Sequence, residues 1–306
     1  MAEMPFPLRS RYHWKLRTRS FPLGQRTVVM GVLNTTPDSF SDGGAFSSPA
    51  AGIEYALAML EDGADIVDIG GESTRPGKRK PVTVQEEIDR VIPVVEGVLR
   101  HRADAILSID TYKAPTAASA LAAGVEIVND VSGFLWDQEM ARVCVAASCG
   151  VVLMHTRGRP EEWRTLPPLQ QKEVAPLVRQ GLHQRLQEAL EAGIERERIV
   201  LDPGFGFGIL LDQNYALLAG LEELSSLGQP LLAGVSRKTF LGRTLSQLYE
   251  GVDAPVGRRG NASLAAVTAA ILAGAQLVRV HDVRPSREAA AIADAILAAK
   301  GGADQY

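Results

Sequence analysis

Eight short apolar runs, each closed by a polar or glycine residue and separated from the next by a segment of helical periodicity, constrain this chain more than any other feature. The runs are Val28 to Leu33, Ile66 to Ile69, Ala105 to Ile109, Glu126 to Val128, Val151 to Met154, Ile199 to Leu201, Leu231 to Val235 and Gln276 to Val280. Between them apolar residues recur at three- and four-residue spacing, as in Ile53, Ala56, Leu57, Leu60 and in Ile88, Val91, Ile92, Val95. Apolar strands without alternation need cover on both faces, as in a parallel sheet, and eight βα units predict an α/β chain folded as a (β/α)8 barrel. The residues ending the runs then converge on one rim: Asn34, Gly70 with Glu72, Ser73, Thr74 and Arg75, Asp110, Asn129 with Asp130, His155, Asp202, Ser236 with Arg237 and Lys238, and Arg279 with His281. In such barrels the mouth at the strand C-termini carries the active site.

The 306 residues, 46% of them hydrophobic, suffice for one large core, so residues 27–306 read as a single barrel domain. The first 26 residues are basic, but Tyr12, Trp14 and Leu16 alternate with polar neighbours and Phe21-Pro22-Leu23-Gly24 supplies a turn. That pattern predicts a short hairpin closing the barrel floor rather than a targeting segment or nucleic-acid arm. A net charge of −4 argues against a general nucleic-acid surface. No run approaches the roughly 20 apolar residues of a membrane span. Cys144 and Cys149 lack metal-site or redox spacing and read as structural thiols in a reducing cytoplasm. Asn261-Ala262-Ser263 matches a glycosylation acceptor only by chance.

Two groups of rim residues carry chemistry. Asp110 and Asp202 end apolar strands where a carboxylate needs hydrogen-bond donors, which a ligand with adjacent N–H groups supplies. Asn129 adds a donor and an acceptor, and Lys238 can meet a carbonyl, so the four together suit a flat heterocycle with an amino-pyrimidinone face. Each aspartate alone could equally cap the next helix. Ser73-Thr74-Arg75-Pro76-Gly77 and the pair Arg279 and His281, which point the same way off the last strand, suit a phosphate or pyrophosphate. Asn34 with nearby Asp and Ser residues could add oxygen ligands for magnesium, which keeps waters and shares substrate phosphates. Gly204-Phe205-Gly206-Phe207-Gly208 has the wrong glycine spacing for a dinucleotide loop and reads instead as a place where aromatic rings meet a planar ligand. No spacing supports a covalent serine or cysteine mechanism.

From about Trp14 onward the chain resembles the dihydropteroate synthase family. The resemblance is carried by Met30 to Gly44, Asp68 to Gly77, Ser108 to Thr111, Asn129 to Gly133, Met154-His155, Asp202 to Gly208, Gly234 to Lys238 and Arg279 to Val283. It implies condensation of 6-hydroxymethyl-7,8-dihydropterin diphosphate with p-aminobenzoate to give 7,8-dihydropteroate and pyrophosphate, with Mg2+ as cofactor. It implies further that Asp110, Asn129, Asp202 and Lys238 bind the pterin, with Met154 among the substrate-binding residues. Asn34, Thr74, Arg75, Arg279 and His281 would serve the diphosphate and its magnesium, with Asn34 as metal ligand, and the catalytic residues would be Asn34, Asp38, Arg75, Lys238, Arg279 and His281. Ser236 would meet the p-aminobenzoate carboxylate, helped by the start of the following helix, with Phe40, Pro76 and Phe207 as walls. A cytoplasmic homodimer open to sulfonamide competition is the family expectation. Ile209 stands where the family commonly has Lys, which implies weaker affinity at the ligand mouth. Two other readings remain: a methyltetrahydrofolate-dependent corrinoid methyltransferase, for which the diphosphate equipment makes little sense, and a pterin-binding paralogue without catalysis.

Overall fold

The computed structural model describes residues 9–35, 48–72, 82–163 and 165–301. Strands β1 (Tyr12–Lys15) and β2 (Ser20–Leu23) form an antiparallel hairpin with Trp14 opposite Phe21. Eight parallel strands follow: β3 (Val28–Asn34), β4 (Ile66–Gly70), β5 (Leu107–Asp110), β6 (Ile127–Asp130), β7 (Gly150–Met154), β8 (Ile199–Asp202), β9 (Leu232–Ala233) and β10 (Leu277–Val280). They lie in the order β8-β7-β6-β5-β4-β3-β10-β9, and a parallel bridge between Leu201 and Leu231 brings the two ends together, so the sheet is a barrel. Around it run α1 (Pro49–Glu61), α2 (Val84–His101), α3 (Ala114–Ala123), α4 (Met140–Ala147), α5 (Gln171–Glu191), α6 (Gln213–Ala219), α7 (Thr239–Thr244), α8 (Gly260–Leu272) and α9 (Val283–Gly301). Each predicted apolar run overlaps a strand, but only β9 and β10 lie wholly within theirs: β7 starts one residue earlier, and β3, β4, β5, β6 and β8 run on by one or two residues into the polar strand ends; the predicted stripes fall on α1 and α2.

Two-residue periodicity sorts every strand residue. Val29, Leu33, Val67, Ile69, Leu107, Ile109, Val128, Val151, Leu153, Ile199, Leu201, Val278 and Val280 face out and share one core with the helices. The alternate residues Val28, Met30, Ile66, Ile127, Val152, Val200, Leu232 and Leu277, with Ile106 just before β5, face in and form a separate apolar floor. The hairpin completes that floor, because Trp14, Leu16 and Leu23 belong to the same cluster and Trp14 is 1% exposed. The Trp14 indole donates to the Arg198 carbonyl at 2.9 Å, and Thr18 and Arg19 engage Glu126 at the strand entrance. Glu126 therefore lies below β6 rather than within it.

Helix starts follow local chemistry. Thr83 and Glu86 form a capping box at α2, with Thr83 N donating to Glu86 Oε2 at 2.9 Å and Glu86 N donating to Thr83 Oγ1 at 3.2 Å. Cys144 and Cys149 are both buried free thiols. Ser263 lies buried inside α8, where its hydroxyl donates to Arg259 O and accepts from Arg237 N.

Candidate active site

Above the apolar floor the same inward parity turns Asp68, Ser108, Asn129, Met154, Asp202, Gly234 and Arg279 into the barrel, followed along their strands by Asn34, Gly70, Asp110, Ser236 and His281; Asp68 pairs across strands with Ser108, and Asp110 with both Gly70 and Asn129. Arg279 joins the strands. Its Nε donates to Asp68 Oδ2 and its Nη2 to Asp110 Oδ2, both at 2.6 Å, while Asn129 Nδ2 donates to the same Asp68 oxygen at 3.0 Å. Asp202 Oδ1 accepts the Gly204 amide at 2.7 Å. Gly204 has φ +75°, and a Cβ there would lie 1.9 Å from the His155 carbonyl, so this turn admits only glycine. Lys238 places its ammonium 4.3 Å from the centre of the Phe207 ring.

Burial sets the electrostatics. It pushes the Asp110 carboxyl up to about 7, against the pull of Arg279 and with repulsion from Asp68, Glu87 and Asp130. Burial likewise lifts Asp202 to about 6, opposed by the Gly204 amide and then Lys238, and it lowers Lys238 to about 8, opposed by Asp202. For Arg279 burial alone acts downward, but Asp68 and Asp110 outweigh it and hold the guanidinium above its ordinary range. The pocket thus presents carboxylates and cations short of the water they would otherwise have.

Ser236 Oγ accepts the His281 amide at 3.3 Å and lies 3.1 Å from His281 Nδ1. Arg237 between Ser236 and Lys238 adopts φ 56°, a left-handed conformation held by its ion pair with Asp282, by Arg237 N donating to Ser263 Oγ and by Arg259 donating to its carbonyl. It faces Asp282, away from the pocket, which corrects its placement on the rim. The helix after Ser236, α7, has only six residues, so it adds little dipole to an anion site.

Phe207, with Met154, Val131 and Trp163, lines one wall, and Trp163 meets Phe207 edge-on with centroids 5.3 Å apart. Trp163 comes from the β7–α5 connection, and no spacing in the sequence pointed to it. Tyr112 packs against this same cluster, and beside it Glu72 accepts Lys113 Nζ at 2.6 Å and Tyr112 Oη at 3.0 Å, while Lys113 reaches Glu87 at 2.8 Å. Glu72 therefore anchors the start of its loop. Asp38, Phe40, Thr74, Arg75 and Pro76 lie outside the described residues.

Three further expectations change. Asp130 and His155 have outward parity: Asp130 caps its own loop by accepting Ser132 N at 2.7 Å, and His155 packs against Gly181 of α5 with burial holding its pKa down to about 4. Met154 takes the inward place. Ile209 is 2% exposed in the helix-facing core, so its side chain does not line the mouth and the expected loss of a cation there has no structural counterpart. Asp68 is the site residue that the reading of strand ends missed. A carboxylate inside the apolar run Ile66 to Ile69, in phase with Gly70, is the signal that marks it.

Residues 30–281 match the family described as pterin binding enzyme. The dihydropteroate synthase of Synechocystis sp. is 42% identical over 276 residues, covering 90% of this chain and 92% of that protein. The Xanthomonas albilineans dihydropteroate synthase solved with 4-aminobenzoic acid superposes with a TM-score of 0.83 at 38% identity, over 94% of this chain and 99% of that one. The same organism's enzyme in complex with 7,8-dihydropteroate gives a TM-score of 0.79 at 36% identity over the same shares. With the barrel and its inward ring of carboxylates and cations in place, this match over nearly the whole length makes the chain a member of the dihydropteroate synthase family of pterin-binding enzymes.

Proposed function

We propose that the chain condenses 6-hydroxymethyl-7,8-dihydropterin diphosphate with p-aminobenzoate, as a transferase of the pterin-methyl group. The observation that carries this reading is the set of buried Asp110, Asn129 and Asp202 with half-buried Lys238 and Arg279 above an apolar floor, matched to a ligand that offers N–H donors and a carbonyl on one flat edge. Asp110 and Asp202 accept from the pterin, Lys238 donates to its carbonyl, and Met154 and Phe207 meet its faces or the second substrate. Arg279 Nη1 has no partner among the described residues and is available to the diphosphate, together with His281 and with Thr74 and Arg75. Phe40, Pro76, Phe207 and Ser236 are assigned to p-aminobenzoate.

In the reaction the exocyclic C–O bond breaks with its electron pair leaving on pyrophosphate, the aminobenzoate nitrogen bonds to that carbon, and the amine proton passes to solvent. Arg279 and His281 hold the charge that grows on the leaving oxygen. The amine is neutral near pH 7 and attacks without a strong base.

Among the described residues no cluster of three acidic, His or Cys ligands exists. A Cβ at Gly70 would lie 3.7 Å from Asn34 Oδ1 and 3.6 Å from Asp110 Oδ2, so glycine keeps a small space open beside one neutral oxygen. Such a donor set fits magnesium carried mainly by diphosphate and water. Asn34 would hold the ion, which when bound supplies positive charge against the departing pyrophosphate.

No helix among the described residues is long and apolar enough to cross a membrane. The buried thiols fit a reducing cytoplasm, and the homodimer expected of the family is tested by light scattering.

The functional test combines the purified chain with the pterin diphosphate, magnesium and p-aminobenzoate and follows both products. Equimolar pyrophosphate and dihydropteroate, each dependent on p-aminobenzoate and suppressed by a sulfonamide, is the expected result. Binding of the diphosphate with neither product would overturn the catalytic reading.

A further inference from the structure

Asp68 is fully buried, and one of its oxygens does all the visible work. Oδ2 accepts both Arg279 Nε at 2.6 Å and Asn129 Nδ2 at 3.0 Å, whereas Oδ1 is buried without a partner. Ser108 is the cross-strand partner of Asp68 on β5, and its hydroxyl is likewise buried and unpartnered. Directly below lie Ile66, Ile106 and Ile127 of the floor. A carboxylate in that position is costly to bury, and a buried ion pair is often no more stabilising than well-packed apolar residues in place of both partners. Its presence needs an explanation other than stability.

We infer that Asp68 is a positioning residue that fixes the donor–acceptor sense of Asn129 and divides the Arg279 guanidinium between two strands, so that the pocket accepts the pterin edge in one orientation only. This rests on the pterin reading given above. If the Asn129 amide were reversed, its oxygen would face the Asp68 carboxylate, two acceptors without a proton between them. With Nδ2 pinned from below, Asn129 presents its oxygen and one remaining N–H toward the ligand. Arg279 is held in the same way: its Nε is taken by Asp68 of β4 and its Nη2 by Asp110 of β5. Without Asp68 the guanidinium would be free to turn wholly onto Asp110. That would occupy the carboxylate the pterin needs and leave Nη1 unaimed.

The test compares wild type with Asp68→Asn by steady-state kinetics in both substrates. Asparagine keeps the size and one acceptor oxygen, but its amide can pair with Asn129 in either sense. The KM for dihydropterin diphosphate should rise about tenfold or more, the scale of one hydrogen bond to a charged group, and kcat should fall. The KM for p-aminobenzoate, measured at saturating pterin diphosphate, should stay within about twofold. A purely structural role would instead lower the melting temperature and the active fraction and leave both KM values at wild type, and that result overturns the inference. In an Asn129→Ala background the Asp68→Asn effect on pterin KM should shrink, since the two residues act on one contact. Full additivity would remove Asn129 from the argument.

If Asp68→Asn does not fold, wild type labelled with 15N-arginine still decides. The Arg279 Nε–H resonance, assigned by its loss in Arg279→Lys, should be protected from exchange and remain so when the pterin diphosphate binds. Rapid exchange, or loss of protection on binding, would show that Asp68 does not hold the guanidinium. Wild type that neither binds nor turns over the pterin diphosphate would defeat the functional reading itself, a separate outcome visible before any variant is made.

Discussion

Replacing Arg279 with Met keeps much of the side chain's volume and deletes the cation that Asp68 and Asp110 share at 2.6 Å each. Removing one partner of a buried ion pair costs about 3–5 kcal/mol, because the remaining charge is left uncompensated. Here the site has a way out through protonation. Asp110 already has a pKa of about 7, raised first by burial, lowered by Arg279 and raised by Asp68, Glu87 and Asp130. Without Arg279 it must move higher. A carboxyl whose folded pKa lies above its unfolded value stabilises the fold fully below the unfolded pKa, and that contribution is lost as pH rises through the folded pKa. Wild type therefore loses it by about pH 7, whereas the variant goes on losing it above that. In the interval the variant fold carries a proton that wild type has shed, so the destabilisation should grow by about 1.4 kcal/mol per pH unit above 7. Urea unfolding at pH 6 and pH 8 measures this directly: a loss of roughly 3 kcal/mol at pH 6 and clearly more at pH 8 is expected. Equal losses at both values, or a larger loss at pH 6, would refute the account of a shared buried cation. The same variant should lose turnover by about a hundredfold or more, the usual consequence of deleting one preorganised donor. Wild-type turnover with weaker binding only would refute the leaving-group role.

Other parts of the molecule can be tested separately. Trp14→Ala opens the barrel floor and strands the Arg198 carbonyl, so unfolding free energy should drop by about 3–5 kcal/mol; a loss under about 1 kcal/mol by urea titration would mean the hairpin does not seal the floor. His155 is depressed to about 4, first by burial and then by Arg157, so its contribution to stability is present above about pH 6.5 and is lost as pH falls through 4. His155→Gln should therefore unfold at lower pH than wild type in an acid titration, and an unchanged midpoint would contradict the burial argument. Trp163→Ala removes the edge contact to Phe207, and the KM for p-aminobenzoate should rise roughly two- to tenfold, in line with an aromatic pair, with pterin affinity unchanged. Ile209→Lys should lower the melting temperature and leave both KM values intact, since position 209 packs in the core; a lowered KM for either substrate would restore it to the mouth.

The barrel was legible because its strands are buried on both faces, so each is a run of apolar residues that no surface strand would tolerate. The hairpin was legible for the opposite reason, since only one of its faces is covered and Tyr12, Trp14 and Leu16 alternate accordingly. Less legible was β9. Its apolar run Leu231 to Val235 supports only a two-residue ladder, because Leu231 is spent on the closing bridge to β8 and Gly234 follows at once. Helix stripes were placed well but not to the residue. Gly97, inward on α2, matters more than its size suggests, since a Cβ there would come within 2.1 Å of the Ile53 side chain. Close approaches of this kind depend on two segments far apart in sequence and leave no mark in either one.

At the site, the rule that strand-end polar residues converge on the mouth was right in kind and too permissive in detail. It admitted Asp130, His155 and Arg237 along with Asn129 and Lys238, and it passed over Met154 in favour of His155, although neighbours in a strand must face opposite ways. Parity counted from the floor separates them without any structure. Ile127 faces in, so Asn129 does and Asp130 does not; Val152 faces in, so Met154 does and His155 does not. The same count upward from Ile66 reaches Asp68 before Gly70, and upward from Leu277 it reaches Arg279 and then His281. What parity cannot supply is the pairing itself. That Arg279 turns to Asp68 and Asp110 depends on β10, β4 and β5 lying around one ring, which only closure of the barrel decides. The carboxylates and the cation are each unaffordable alone at that depth, and the fold makes them tolerable by setting them against one another. A ligand with its own donors and negative charge would then replace part of that mutual compensation, which is what the proposed function asks of a diphosphate-bearing heterocycle.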